Sequence, residues 1–182
     1  MNIPLSLYVH FPWCVKKCPY CDFNSHEANG ELPESDYVTA LLDDLDRDVE
    51  RFEIPEGSQL TSIFFGGGTP SLISPEQIRR FLQAVARRFD LTDDTEITME
   101  ANPGTTDEAN FIGYREAGVN RISLGVQSFG ERQLTHLGRI HTADQASQAF
   151  ISARDAGFAN INLDLMHGLP EQTVQGALLD LD

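Results

Sequence analysis

"LSLYVHF" (5–11), "SIFFGGG" (62–68), "EITMEAN" (96–102), "RISLGVQ" (121–127) and "INLDLMHG" (161–168) are short strand-forming runs that end at or near Gly or Pro and alternate with helix-period segments. That alternation predicts five βα units and a parallel sheet. Neighbouring side chains of a strand point to opposite faces, so each run divides into two sets. One set is Ser6, Tyr8, His10; Ser62, Phe64, Gly66; Glu96, Thr98, Glu100; Arg121, Ser123, Gly125, Gln127; Asn160, Asn162, Asp164. The other is Leu5, Leu7, Val9; Ile63, Phe65; Ile97, Met99; Ile122, Leu124, Val126; Ile161, Leu163, Leu165. Helices have to cover the second set. A parallel sheet buried on both sides reads as near-continuous apolar runs, and a closed eight-stranded barrel fills its interior with branched side chains. This chain does neither. Polar groups on the first face would be costly if dry and unpaired, so that face has to line water or a polar ligand. The pattern predicts a curved, open barrel with a ligand chamber; the alternative is a flat sheet with one face in solvent, which parallel sheets seldom leave bare.

The intervening segments carry helix signals. Val38, Leu41, Leu42, Leu45, Val49 and Phe52 form one stripe, with acids on the other side. A second helix is predicted to open with Ser74 as cap and Pro75 at its first position, its stripe running Ile78, Phe81, Leu82, Val85, Phe89. Gly118 and Gly157 stand where two later helices should stop. Around them "REAGVNRISL" (115–124) and "RDAGFANINL" (154–163) repeat, each joining a helix end to a strand, as barrel-like folds do. The chain stops at "GALLDLD", inside what should be the fifth helix, which predicts a fragment of a longer protein.

Composition narrows the partners. A net charge of −15 argues against broad nucleic-acid binding, which needs a surplus of Lys and Arg. Acids in stretches such as "LLDDLDRDVE" are expected to be solvated helix faces. No run of 18 apolar residues is present, so no membrane segment is expected. "MNIPLSLYVHF" lacks the features of a secretory signal, which predicts thiols kept in a reducing cytosol.

All three cysteines fall in "CVKKCPYC", as Cys14, Cys18 and Cys21. A disulfide is the weakest reading: the count is odd, the loops are tiny and the compartment is reducing. A structural zinc site wants four protein ligands, and His10 or His26 could supply the fourth. A four-iron cluster held by three thiolates leaves one iron without a protein ligand. The loop follows the first strand at the carboxyl edge of the sheet, where open α/β folds bind ligands, so an open iron there would face the polar chamber. "GGGTP" (66–70) is neither a P-loop nor a dinucleotide fingerprint; its glycines either admit a ligand close to the backbone or simply make the strand-to-loop turn.

CxxxCxxC with Tyr20 before the last cysteine resembles the signature of the radical S-adenosylmethionine superfamily. The resemblance implies a [4Fe-4S] cluster on Cys14, Cys18 and Cys21, with the amino and carboxylate groups of S-adenosylmethionine on the fourth iron. It also implies an α/β fold, an open partial (βα)6 TIM-like barrel, of which residues 1–182 would be the incomplete core domain of a parent with a further C-terminal domain. "YVHFPWCVKKCPYCDFNSH", "FFGGGTPS", "MEANPG", "RISLGVQSF" and "INLDLMHGLP" are more closely similar to the oxygen-independent coproporphyrinogen III oxidase family. Phe23 departs from the true oxidases of that family, which carry a fourth cysteine two positions after the third. "CDFNSH" instead resembles the HemW branch, cytoplasmic heme chaperones.

That branch implies heme as cargo, a heme-acceptor protein and a one-electron reductant as partners. An oxygen-independent coproporphyrinogen III dehydrogenase is the alternative and a zinc-stabilised binding domain the weaker one; whether the cofactor is cleaved stays open. By the same resemblance Gly67, Gly68 and Thr69 lie beside the methionine part of S-adenosylmethionine, and Tyr8 and Tyr20 lie near the cluster and adenine. Glu100, Gln127, Arg139 and Asp164 match positions that bind the cofactor. A carboxylate suits ribose hydroxyls and a guanidinium suits the methionine carboxylate. The plainer readings are a turn cap for Asp164 and a surface charge for Arg139. His26, His136 and His141 are expected to be ordinary surface histidines, and His10 and His167 to sit next to the chamber, with no heme ligand assigned.

Overall fold

The computed structural model describes residues 4–105 and 108–181. In chain order the elements are β1 (Leu5–Phe11), β2 (Trp13–Cys14), β3 (His26–Glu27), α1 (Glu34–Arg51), β4 (Ser58–Gly67), α2 (Pro75–Val85) and β5 (Phe89–Asp90). They continue with β6 (Glu96–Ala101), α3 (Glu108–Ala117), β7 (Arg121–Gln127), α4 (Glu131–His136), α5 (Ala143–Asp155), β8 (Asn160–Leu165) and α6 (Val174–Leu179). The main sheet runs β1-β4-β6-β7-β8, with β5 paired to β4, and every pair is parallel. The five expected βα units are therefore present, in sequence order across the sheet. No helix among the described residues is long and apolar enough to cross a membrane.

The two-face reading holds row by row. Val9, Phe65, Met99, Ile122 and Ile161 lie abreast, the first four fully buried under the helices. One position away, Tyr8, Phe64, Thr98, Arg121 and Asn160 form a row of the opposite face. α1 packs on α2, α2 on α3 and α3 on α5, closing the core around Val38, Ile78, Phe81, Phe111, Tyr114 and Phe158. Burying such side chains contributes about 1.5–3 kcal/mol each, which is what holds the helices to one face only.

The helix ends differ from expectation in three places. α2 stops at Val85, and Phe89 is buried in β5 against the start of β4. Phe89 follows Val85 at the i+4 position, so a stripe that continues and a chain that turns into a strand look alike at helical spacing. Phe52 lies just past α1 and is 63% exposed, with the Arg51 guanidinium 5.3 Å above its ring. Ser74 occupies the N-cap of α2 with extended backbone but makes no capping bond; its own N–H donates to Glu34 Oε2 at 3.0 Å.

Gly118 and Gly157 end α3 and α5 as expected, and the repeat has a physical basis. In both copies the glycine N–H donates three residues back, to Arg115 and Arg154, and the next N–H donates five residues back, to Tyr114 and Ala153. This paired cap needs a residue with positive φ, here 115° and 92°. It delivers the chain directly into β7 and β8.

Candidate cofactor site

The cysteine segment is a loop closed at its base and stapled inside. β2 pairs with β3, and backbone bonds His26 N to Pro12 O (2.7 Å) and Ala28 N to Cys14 O (2.8 Å) seal the neck. The Lys17 ammonium donates to the carbonyls of Phe23 and Ser25, each at 3.1 Å, while its backbone N–H donates to Glu27 Oε1 at 3.1 Å. Cys14 is buried, Cys18 and Cys21 are half-buried, and no disulfide joins them. The sequence offered no signal for Lys17 beyond its place between two cysteines.

The loop is docked on the end of β4 through Gly68 N to Phe11 O (2.6 Å) and Thr69 N to Trp13 O (2.7 Å). A Cβ on Gly67 would meet His10 Nδ1 at 2.6 Å, and one on Gly68 would meet Trp13 O at 2.5 Å and Cys14 Sγ at 3.0 Å. Gly68 allows the close approach of the cysteine segment itself, and Gly67 that of the end of β1 at His10 and Phe11. This refines the alternatives left by the sequence: whatever else it touches, the missing side chain of Gly68 is a condition for seating the Cys14 thiol.

Beside the thiols lies a cavity of about 360 Å³ lined by Cys14, Cys18 and Cys21 together with Tyr20, Gly67, Gly68, Thr69, Glu100, Gln127, Arg139 and Asp164. Eleven of the twelve residues singled out from sequence thus share one cavity. Tyr8 is the exception: it lies on the same face, stacked on Phe64, with its hydroxyl 3.0 Å from His10 Nδ1. Lys16, Phe23, Asn102 and Ser123 also line the cavity; of these only Ser123 was on the polar face read at period two.

Each polar group is held from behind. Glu100 Oε2 accepts the Gly67 N–H at 3.2 Å. Burial pushes the Glu100 carboxyl up, the Gly67 bond pulls it back and Asp164 pushes it up again. Asp164 accepts from Ser123 Oγ (3.0 Å) and Asn162 Nδ2 (2.7 Å), so it is a member of a sheet-face network and caps no turn. Gln127 breaks the register between β7 and β8 and adopts φ 72°, costing about 1–3 kcal/mol for a non-glycine residue. Period two placed Gln127 on the right face but gave no sign of that conformation.

Arg139 is not a surface charge. Gly138, at φ 67°, ends α4 with the same paired cap as the repeat, donating to Thr135 O while Arg139 N donates to Leu134 O. The guanidinium then donates to Gly125 O (2.5 Å) and Asn102 Oδ1 (3.1 Å) and reaches Cys18 Sγ and Tyr20 Oη, both at 3.5 Å. Its Nε is buried without a partner among the described residues. Burial raises the Tyr20 hydroxyl, and the Arg139 charge partly opposes this.

Among the histidines, His26 and His136 are exposed as expected, but His141 is 3% exposed and therefore a buried residue, held by Val126 O at 3.1 Å. His10 is pinned between Tyr8 and Asn24 O (2.8 Å), and His167 lines a separate, mostly apolar cavity with α6.

The donor set fits an iron-sulfur cluster. Three thiols of the right chemistry border the cavity, and the Arg139 guanidinium and two carboxylates line it with them. Among the described residues no group of three or more His, Cys, Asp or Glu is placed to hold a single ion. In a cluster each thiolate takes a different iron and no such convergence is needed.

A family model of the Radical SAM superfamily matches residues 8–181. The chain is 55% identical over 178 residues to heme chaperone HemW of Escherichia coli strain K12, covering 98% of this chain and 46% of that protein. It is 53% identical to heme chaperone HemW of Haemophilus influenzae, covering 98% and 47%. Among solved structures, coproporphyrinogen III oxidase (HemN) of Escherichia coli, a radical SAM enzyme, superposes with a TM-score of 0.85 at 31% identity, over 98% of this chain and 40% of that one. The chain thus spans under half the length of these relatives.

Proposed function

We propose that this chain, which belongs to the radical SAM superfamily, is the cofactor-binding core of a heme chaperone that binds heme and passes it to an acceptor protein. The observation that carries the reading is the identity, above 50% along nearly the whole chain, to relatives bearing that name. Phe23 supports it: an apolar ring, 59% exposed, stands at the cavity where the resembling oxidases have a fourth thiol. In this reading residues 1–182 are the core domain of a longer cytoplasmic protein, in a compartment that keeps its thiols reduced.

We assign Cys14, Cys18 and Cys21 to three irons of a [4Fe-4S] cluster. The cavity takes S-adenosylmethionine: Arg139 offers its guanidinium to the carboxylate, Glu100 and Asp164 accept hydrogen bonds from ribose hydroxyls, and Gly67, Gly68 and Thr69 form the wall beside the methionine part. Tyr8 and Tyr20 flank the cluster and the adenine, and Gln127 closes the sheet edge. When bound, the cluster supplies one-electron chemistry to the sulfonium, given an external reductant. The protein's part is to orient the ligand and to exclude water around it.

The likeness to HemN supports a second reading, anaerobic oxidation of coproporphyrinogen III. Full-length protein, reconstituted and reduced without oxygen, separates the two. Transfer of bound heme to an apo-acceptor without conversion of coproporphyrinogen III is expected; robust conversion with no heme binding would overturn the chaperone reading.

A further inference from the structure

Two buried polar atoms have no partner among the described side chains: Arg139 Nε and His141 Nδ1. They are chemically complementary. Arg139 Nε carries a hydrogen and can only donate. His141 Nε2 faces the carbonyl of Val126 at 3.1 Å, and a carbonyl only accepts, so the ring hydrogen sits on Nε2. A neutral imidazole then presents a bare lone pair at Nδ1. Burial, and next the Arg139 charge, hold the His141 ring below its ordinary pKa, with the Val126 bond and Glu131 acting the other way. The ring therefore stays neutral and keeps that lone pair.

His141 also lies where three pieces of the site meet. It is two residues beyond Arg139 and is bonded to the residue before the left-handed Gln127. Its Cβ would be 3.3 Å from a side chain on Gly104, in the loop that follows Glu100 and Asn102. A leucine could fill such a space as well. A buried imidazole with an open lone pair beside a guanidinium with an open N–H calls for another explanation, because each unpaired buried group costs about 1–3 kcal/mol.

We propose that His141 is a positioning residue for S-adenosylmethionine binding: it accepts the Arg139 Nε–H at Nδ1 through one buried water, and so aims the guanidinium at the ligand carboxylate. The proposal rests on the assignment of Arg139 to that carboxylate.

The test measures S-adenosylmethionine affinity by calorimetry on reconstituted full-length protein with matched iron content, for His141→Leu, His141→Asn, Arg139→Lys, Arg139→Ala and the His141→Leu/Arg139→Lys pair. Expected are a loss of about tenfold for His141→Leu, substantial recovery for His141→Asn, and a pair no worse than Arg139→Lys alone. Additive losses, or an Asn variant as weak as Leu, would overturn the proposal and leave the Arg139 assignment standing. Wild-type affinity in Arg139→Lys and in Arg139→Ala would remove both. Should His141→Leu fail to fold, histidine nitrogen NMR of the wild type decides. A hydrogen-bonded Nδ1 that responds to ligand supports the proposal, and a free, unresponsive Nδ1 refutes it.

Discussion

Gly138→Ala is expected to damage the site far more than its stability cost suggests, and the molecule contains its own control. Gly138 and Gly157 occupy the same position of the same helix cap, at φ 67° and 92°. Forcing alanine into left-handed backbone costs about 1–2 kcal/mol at either place, lowering Tm by about 2–8 °C in a chain of this size. The surroundings differ. A Cβ at Gly157 meets nothing within 4 Å, whereas one at Gly138 lies 2.9 Å from Pro19 Cδ. Ordinary carbon contact begins near 3.5 Å, so Pro19 must retreat by about half an ångström. Pro19 sits between Cys18 and Tyr20, and Gly138 precedes Arg139, so the movement opens the cavity at the guanidinium–thiol contact. The assay is denaturant unfolding together with iron content and S-adenosylmethionine affinity for both variants of the full-length protein. Similar unfolding losses are expected, with depressed cluster content or affinity in Gly138→Ala alone. Equal site properties in the two variants would refute the reasoning.

Glu100 gives a pH signature. Its folded-state pKa is raised, burial being the largest cause, so the folded form holds this proton more tightly than the unfolded chain. Stability from this group is fully present below the ordinary carboxylate value and lost as pH rises through the raised one; in ligand-free protein, Glu100→Gln should flatten that part of the unfolding profile, and an unchanged difference across the window would contradict it. Lys17→Met is expected to lower cluster occupancy after reconstitution, because the carbonyls of Phe23 and Ser25 lose their shared cation. Lys17→Arg should recover part of it, and full iron content in Lys17→Met would show that the neck bonds alone shape the loop.

Regular strands were readable because one face touches helices and the other a cavity, and a period of two records that difference directly. Glu100, Ser123, Gln127 and Asp164 were placed on the correct face by this alone. Events at element ends left weaker traces. Phe89 keeps helical spacing from Val85 although the helix has stopped, and Ser74 has the composition of a cap but donates its N–H to Glu34 instead. His141 reads as a surface histidine because the contacts that bury it, Val126 and the loop at Gly104, are distant in sequence. Lys17 was invisible for the opposite reason: a lysine bonded to carbonyls looks in sequence like any solvated lysine. The cysteine spacing identified the family, whereas the seating of the first thiol depends on Gly68, far along the chain.

The rows that run across the sheet make the cavity a property of many strands at once. Gly67 comes from β4, Glu100 from β6, Gln127 from β7 and Asp164 from β8, one contribution from each. A small molecule gripping all four acts as a crossbar, since no strand can detach without breaking its hold on the ligand. Occupancy is then linked to global unfolding and not to local fraying. At a hundredfold excess over Kd it adds about 2.7 kcal/mol, and that protection extends to amide hydrogens on each of these four strands, including positions far from the thiols.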